Sequence, residues 1–157
     1  MEPRTIAKGR YNDLTMNAVI AALYITLTII NPIGHGAIQI RLSEALCVLP
    51  FFDRKYIKGI VIGVAIANAF SPLGVADVAF GVAVVLISYA ISYFVKNIWI
   101  NIIQYSVVAG LLIGIELYIV FNLPFMFSFF SITVSTFIIA TIGAMFIKLL
   151  RRSKVGL

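Results

Sequence analysis

Residues 14–33 read LTMNAVIAALYITLTIINPI, twenty residues without a charged side chain. A helix of about 20 mostly apolar residues is what a bilayer's hydrocarbon core requires. The segment before it is polar and basic through Asp13, as a secretory signal begins. The apolar run is too long for a signal core, however, and further apolar runs follow it. It is read as a retained first span, which makes the chain an all-α integral membrane protein.

Composition supports that reading. Of 157 residues, 62% are hydrophobic and 11% charged, and the mean hydropathy is +1.08. Soluble domains are about half apolar and about a quarter charged, so this chain lacks the charge to cover a water-facing surface. Lipid as solvent removes the need. The length fits one domain, here a single membrane domain over 1–157. It comprises an N-terminal segment 1–13, a bundle 14–150 and a basic tail 151–157.

Breaks in hydropathy divide the bundle into about six spans. The first ends at Asn31-Pro32-Ile33-Gly34, a Pro/Gly stop. A second, short and polar in its first half, covers about 37–52 and ends before Asp53-Arg54-Lys55. The third covers about 56–70 and stops at Ser71-Pro72-Leu73-Gly74. The fourth (78–95), fifth (98–121) and sixth (124–150) follow. Cytoplasmic turns carry an excess of Lys and Arg. With six spans, eleven of the twelve basic residues fall at the termini and at the turns after spans two and four, and the opposite turns hold none. Both termini are therefore expected to be cytoplasmic, in a multi-pass cell-membrane protein. The net charge of +6 is a topology signal rather than a nucleic-acid footprint, because it does not form an amphipathic face.

The twelfth basic residue, Arg41, lies inside the second span, three residues from Glu44. That spacing places both on one helix face. A charge near hydrocarbon costs at least about 2.5 kcal/mol and needs a partner or a wet cavity. The pair is thus either self-neutralising or part of a site lining an external cavity. By the six-span topology, Arg41, Glu44, Asn68, Asp77 and Glu116 share one depth near the outside, the pattern of an outward-facing ligand pocket. Gln39, Tyr89, Tyr93, Gln104 and Tyr105 are further candidates for its walls, although a membrane tyrosine is more often an interface anchor.

Small residues four apart recur as Ala18/Ala22, Gly59/Gly63 and Gly110/Gly114. Such spacing lets helices approach closely, within the bundle or, for Ala18/Ala22, against another membrane protein. The single cysteine, Cys47, and single histidine, His35, exclude a disulfide framework and a Cys/His metal cluster. No phosphate-binding Gly-rich loop with its Lys is present, and no HExxH or GxSxG motif, so neither ATP hydrolysis nor a catalytic site is expected. No cofactor is expected. Uptake, if the protein performs it, draws on a partner or an ion gradient.

The runs Ile38-Gln39-Ile40-Arg41-Leu42-Ser43-Glu44-Ala45, Ala67-Asn68-Ala69-Phe70-Ser71-Pro72-Leu73-Gly74 and Asp77-Val78-Ala79-Phe80-Gly81 resemble the QueT family, predicted queuosine-precursor transporters. The likeness is strongest over residues 17–95, and Gly114-Ile115-Glu116 still fits. It implies an S-component-like six-helix bundle of an energy-coupling-factor importer. Such a subunit captures a 7-deazaguanine outside and docks, through Ala18 and Ala22, onto a transmembrane coupling subunit with two ATPases. A stand-alone gradient-driven transporter, or an S-component for another vitamin-like substrate, remains open. A guanine-like edge offers two parallel donors that a carboxylate accepts together. Glu44, Asp77 and Glu116 are the candidates, with Asn68, Gln39 or Gln104 for the remaining edge.

Overall fold

The computed structural model describes residues 3–31 and 40–153, with side chains described over 12–31 and 40–153. Every element among them is helical: α1 (Pro3–Ile29), a 3-10 segment (Leu42–Val48), α2 (Leu49–Phe52), a 3-10 turn (Arg54–Tyr56), α3 (Ile57–Ala69), α4 (Val75–Ile91), α5 (Ile98–Phe121) and α6 (Phe125–Arg152). Asn12–Ile29, Ile98–Phe121 and Phe125–Arg152 are each long and apolar enough to cross a membrane. The 17 residues of α4 reach about 26 Å at ~1.5 Å per residue, slightly short of a hydrocarbon core of about 30 Å.

The stretch anticipated as a second spanning helix is different in kind. It is a seven-residue 3-10 run followed by a four-residue α turn, together roughly 20 Å long at ~2.0 and ~1.5 Å per residue. Pro50 gives the physical reason. A proline has no N–H to donate and its ring clashes with the carbonyl four residues back, so α-helical bonding cannot run through this position. Leu49 N–H instead bonds Leu46 O, three residues back.

The elements pack as a closed ring in the order α1, α3, α4, α5, α6, with the 3-10 segment 42–48 filling the gap between α6 and α1. Small residues set the close contacts. A Cβ on Gly59 would sit 2.7 Å from Asn17 O, and one on Gly63 3.0 Å from Tyr24 Cβ, so α1 and α3 touch backbone to backbone. Asn17 closes the same contact. Its Nδ2 donates to Lys55 O at 3.0 Å and its Oδ1 accepts from Gly59 N at 2.7 Å. A Cβ on Gly143 would come within 2.8 Å of Ala45 Cα, which seats the 3-10 segment directly on α6. Ala18 and Ala22 take no part in this packing and are exposed on α1, whereas Ala21 is buried.

One end of the bundle gathers basic and aromatic groups. The Arg54 guanidinium lies 3.7 Å from the centre of the Tyr93 ring, Lys148 Nζ 4.5 Å from Trp99, and Arg151 5.0 Å from Phe52. Lys55 Nζ pairs with Asp53 at 3.3 Å. The large exposed hydrophobics cover the outer faces of α1, α4, α5 and α6, as lipid contact requires.

Candidate functional site

Arg41 precedes the 3-10 segment with extended backbone, φ −100° and ψ 102°. It therefore does not share a helix face with Glu44, as the spacing alone had suggested. Its guanidinium crosses the bundle interior to α4 instead. There Nη2 donates to Asp77 Oδ1 at 3.4 Å and Oδ2 at 3.3 Å, with the two side chains 6% and 0% exposed. Asp77 sits in the first turn of α4, where the positive end of the helix dipole favours a carboxylate. Asn68 fixes that turn from α3, its Nδ2 donating to the Asp77 backbone oxygen at 2.9 Å. The buried Arg41 thus has its counter-ion on α4.

The bundle axis holds a small hollow next to this pair. It is lined by Tyr24 of α1, Arg41 and Glu44, Asn68 of α3, Gly81, Val84 and Val85 of α4, and Tyr105, Ala109 and Ile113 of α5. Five elements of the ring therefore converge on one space. Its volume is about 20 Å³, enough for about one water. Glu44 faces Thr136 of α6 and lies within electrostatic reach of Arg41. Its backbone is held indirectly: the Thr28 and Ser43 hydroxyls lie 2.8 Å apart, joining α1 to the 3-10 segment. At the segment's other end the Tyr89 hydroxyl donates to Cys47 O at 3.0 Å.

Several buried polar atoms among the described residues lack hydrogen-bond partners, and Asn68 and Glu116 contribute three of them. Asn68 Oδ1 has none, and neither has either oxygen of Glu116, although both residues are 0% exposed. Glu116 lies within electrostatic reach of Asp77 and Arg41 but outside the lining of the hollow.

The other anticipated wall residues are more dispersed. Tyr105 lines the hollow. Tyr89 does not. It is buried, bonds Cys47 O and meets Phe51 edge-on with ring centres 5.4 Å apart. Gln104 donates to Ser88 O at 3.0 Å and also lies outside the lining. Tyr93 is 66% exposed and covered by Arg54, so it belongs to the basic end of the bundle. Span four ends there, so depth along the helix separates Tyr93 from Asp77. Gln39 lies outside the described residues. Tyr24 is a lining residue that the sequence reading did not select. An uncharged span offers no polar pattern to mark it. The one available signal was its place four residues before Thr28, on the same helix face.

The family model described as "QueT transporter" matches residues 14–152. The "Queuosine precursor transporter QueT" of Lactococcus lactis subsp. cremoris (strain MG1363) is 40% identical over 67 residues, covering 41% of this chain and 40% of that protein. The aligned part thus spans well under half of that curated relative. No solved structure matches the chain. The family match extends from the first span to the end of α6 and takes in every residue that lines the hollow, and on that basis this multi-pass membrane chain belongs to the QueT transporter family.

Proposed function

We propose that the chain is the substrate-binding subunit of an ATP-driven importer, and that it captures a queuosine precursor of the 7-deazaguanine type in the axial hollow. The carrying observation is the convergence of Arg41, Glu44, Asn68 and two tyrosines on one buried space among apolar walls. Each has a chemical part in this reading. The Glu44 carboxylate accepts N1–H and the exocyclic amine of the base as a bidentate pair. Arg41, oriented by Asp77, donates to the ring carbonyl. Asn68 Oδ1 accepts from a further N–H. Tyr24, Tyr105, Val84, Val85 and Ile113 sandwich the ring. Room for one water does not admit a bicyclic base, so binding in this reading widens the hollow. The 3-10 segment that carries Glu44 is the element best suited to yield, because 3-10 runs of this length are uncommon and often mark hinges.

Energy is assigned to partners. The sequence holds no phosphate-binding loop, and the exposed Ala18 and Ala22 offer a small-residue stripe for a transmembrane coupling subunit with two ATPases. In this reading the basic end of the bundle faces the cytoplasm, as does each terminus, and the excess of Lys and Arg there supports that orientation.

A thermal-shift screen of the purified protein against purines and 7-deazapurines tests the ligand class. A bound 7-deazaguanine is expected to stabilise by about 2.7 kcal/mol at a hundredfold excess over Kd. No shift with any 7-deazapurine would remove the proposal. Uptake that survives loss of the ATPases but fails with an ionophore would favour a gradient-driven carrier.

A further inference from the structure

The basic end of the bundle carries more positive charge than its own acids answer. Among the described residues Arg54, Lys55, Lys58, Lys96, Lys148, Arg151 and Arg152 lie there, against Asp13 and Asp53. Asp53 pairs with Lys55, and none of the other six cations has a carboxylate partner among the described residues. Excess Lys and Arg orient a membrane chain, and Arg151 and Arg152 also suit the negative end of the α6 dipole. Neither role requires a cation to be held in one place.

Lys148 is held. It lies about one turn inside the end of α6 and is partly buried, with Nζ 4.5 Å from the centre of the Trp99 ring. A ring face positions an ammonium without neutralising it. Arg152 follows four residues later, on the same face of α6. Trp99 stands in the first turn of α5, a helix long enough to cross a bilayer, so its ring lies at headgroup level. One turn deeper, Ile103 shares the Trp99 face of α5 and is 53% exposed, and Met145 shares the Lys148 face of α6 and is 57% exposed. An apolar strip thus runs from two unneutralised cations directly into the hydrocarbon. A soluble anion would use the cations alone, whereas a phospholipid uses both parts.

We propose that the seam between α5 and α6 at the basic end binds an anionic phospholipid. Lys148 and Arg152 hold its headgroup phosphate, Trp99 keeps the Lys148 ammonium in position, and an acyl chain lies along Ile103 and Met145. The surface is separate from the axial hollow and does not depend on what binds there.

Trp99 is the one tryptophan of the chain, so its fluorescence reports on this seam. The test reconstitutes the full-length protein in phosphatidylcholine bilayers containing a minor fraction of phosphatidylglycerol. One lipid or the other carries bromine in its chains as a quencher. Brominated phosphatidylglycerol is expected to quench Trp99 as if enriched about tenfold over its mole fraction, the scale of attraction that two basic residues exert at a membrane surface. Lys148→Gln with Arg152→Gln should bring quenching down to the mole fraction. Arg54→Gln with Lys58→Gln removes equal charge from α3 and the turn before it, and should leave the enrichment in place. Wild-type quenching that simply follows mole fraction would overturn the proposal. An equal loss in the two double variants would also overturn it, by making the attraction a diffuse effect of charge. Loss of the enrichment on adding inorganic phosphate, at an ionic strength matched with chloride, would overturn the lipid as occupant and make the seam a site for soluble phosphate.

Discussion

Replacing Asp77 by asparagine is expected to lower the stability of the folded bundle by about 3 kcal/mol and to abolish ligand binding. Removing one member of a buried ion pair leaves its partner's charge uncompensated, at a cost of roughly 3–5 kcal/mol. The lower end applies here because Glu44 and Glu116 remain within electrostatic reach of Arg41. The asparagine also keeps the backbone oxygen that Asn68 holds, so the loss isolates the charge. Chemical or thermal unfolding in detergent measures the stability, and titration with ligand measures the binding. Replacing both partners, Arg41→Met with Asp77→Leu, should recover most of the stability, since a buried pair exchanged for apolar residues is often neutral. The double variant should still fail to bind. Recovery of binding in it would mean that Arg41 has only a structural part.

Glu44→Gln gives the second large effect, confined to the ligand. The side chain keeps its size and its place beside Thr136. It loses one acceptor and turns an amide donor toward the donors of the base. A lost charged hydrogen bond costs about 1.5–3 kcal/mol, or roughly 10- to 150-fold in Kd. Stability without ligand should hold or rise slightly, because one carboxylate is removed from an acid-rich cluster. The loss should fall equally on every 7-deazaguanine that presents this edge. Unchanged affinity would take Glu44 out of the site.

Much of this architecture is legible in the sequence because lipid imposes simple rules. Long uncharged runs have to be helices, and Pro/Gly or charged breaks have to be turns, so the limits of α3, α5 and α6 fall close to the expected ones. The second span departs from its expected form because Pro50 acts on backbone bonding, which hydropathy does not register. The site is legible in part for a related reason. An arginine and three acids in apolar stretches are conspicuous by cost, and the structure brings Glu44, Asp77 and Glu116 within electrostatic reach of Arg41. Which acid pairs with Arg41 was not legible, since Asp77 is 36 residues away and the pairing depends on how the ring closes. Tyrosines were the least legible. Their amphipathic side chains serve equally as packing (Tyr89), as a basic-end contact (Tyr93) or as hollow lining (Tyr24, Tyr105), and only position in the bundle separates these uses.

The most direct measurement is an experimental structure of the protein with a 7-deazaguanine bound. The base is expected on the bundle axis, with its N1–H edge on Glu44, its carbonyl toward Arg41 and its ring between Tyr24 and Tyr105. Density for the base elsewhere, for instance in the apolar groove that Phe127, Phe130 and Val134 form on the outer face of α6, would contradict it.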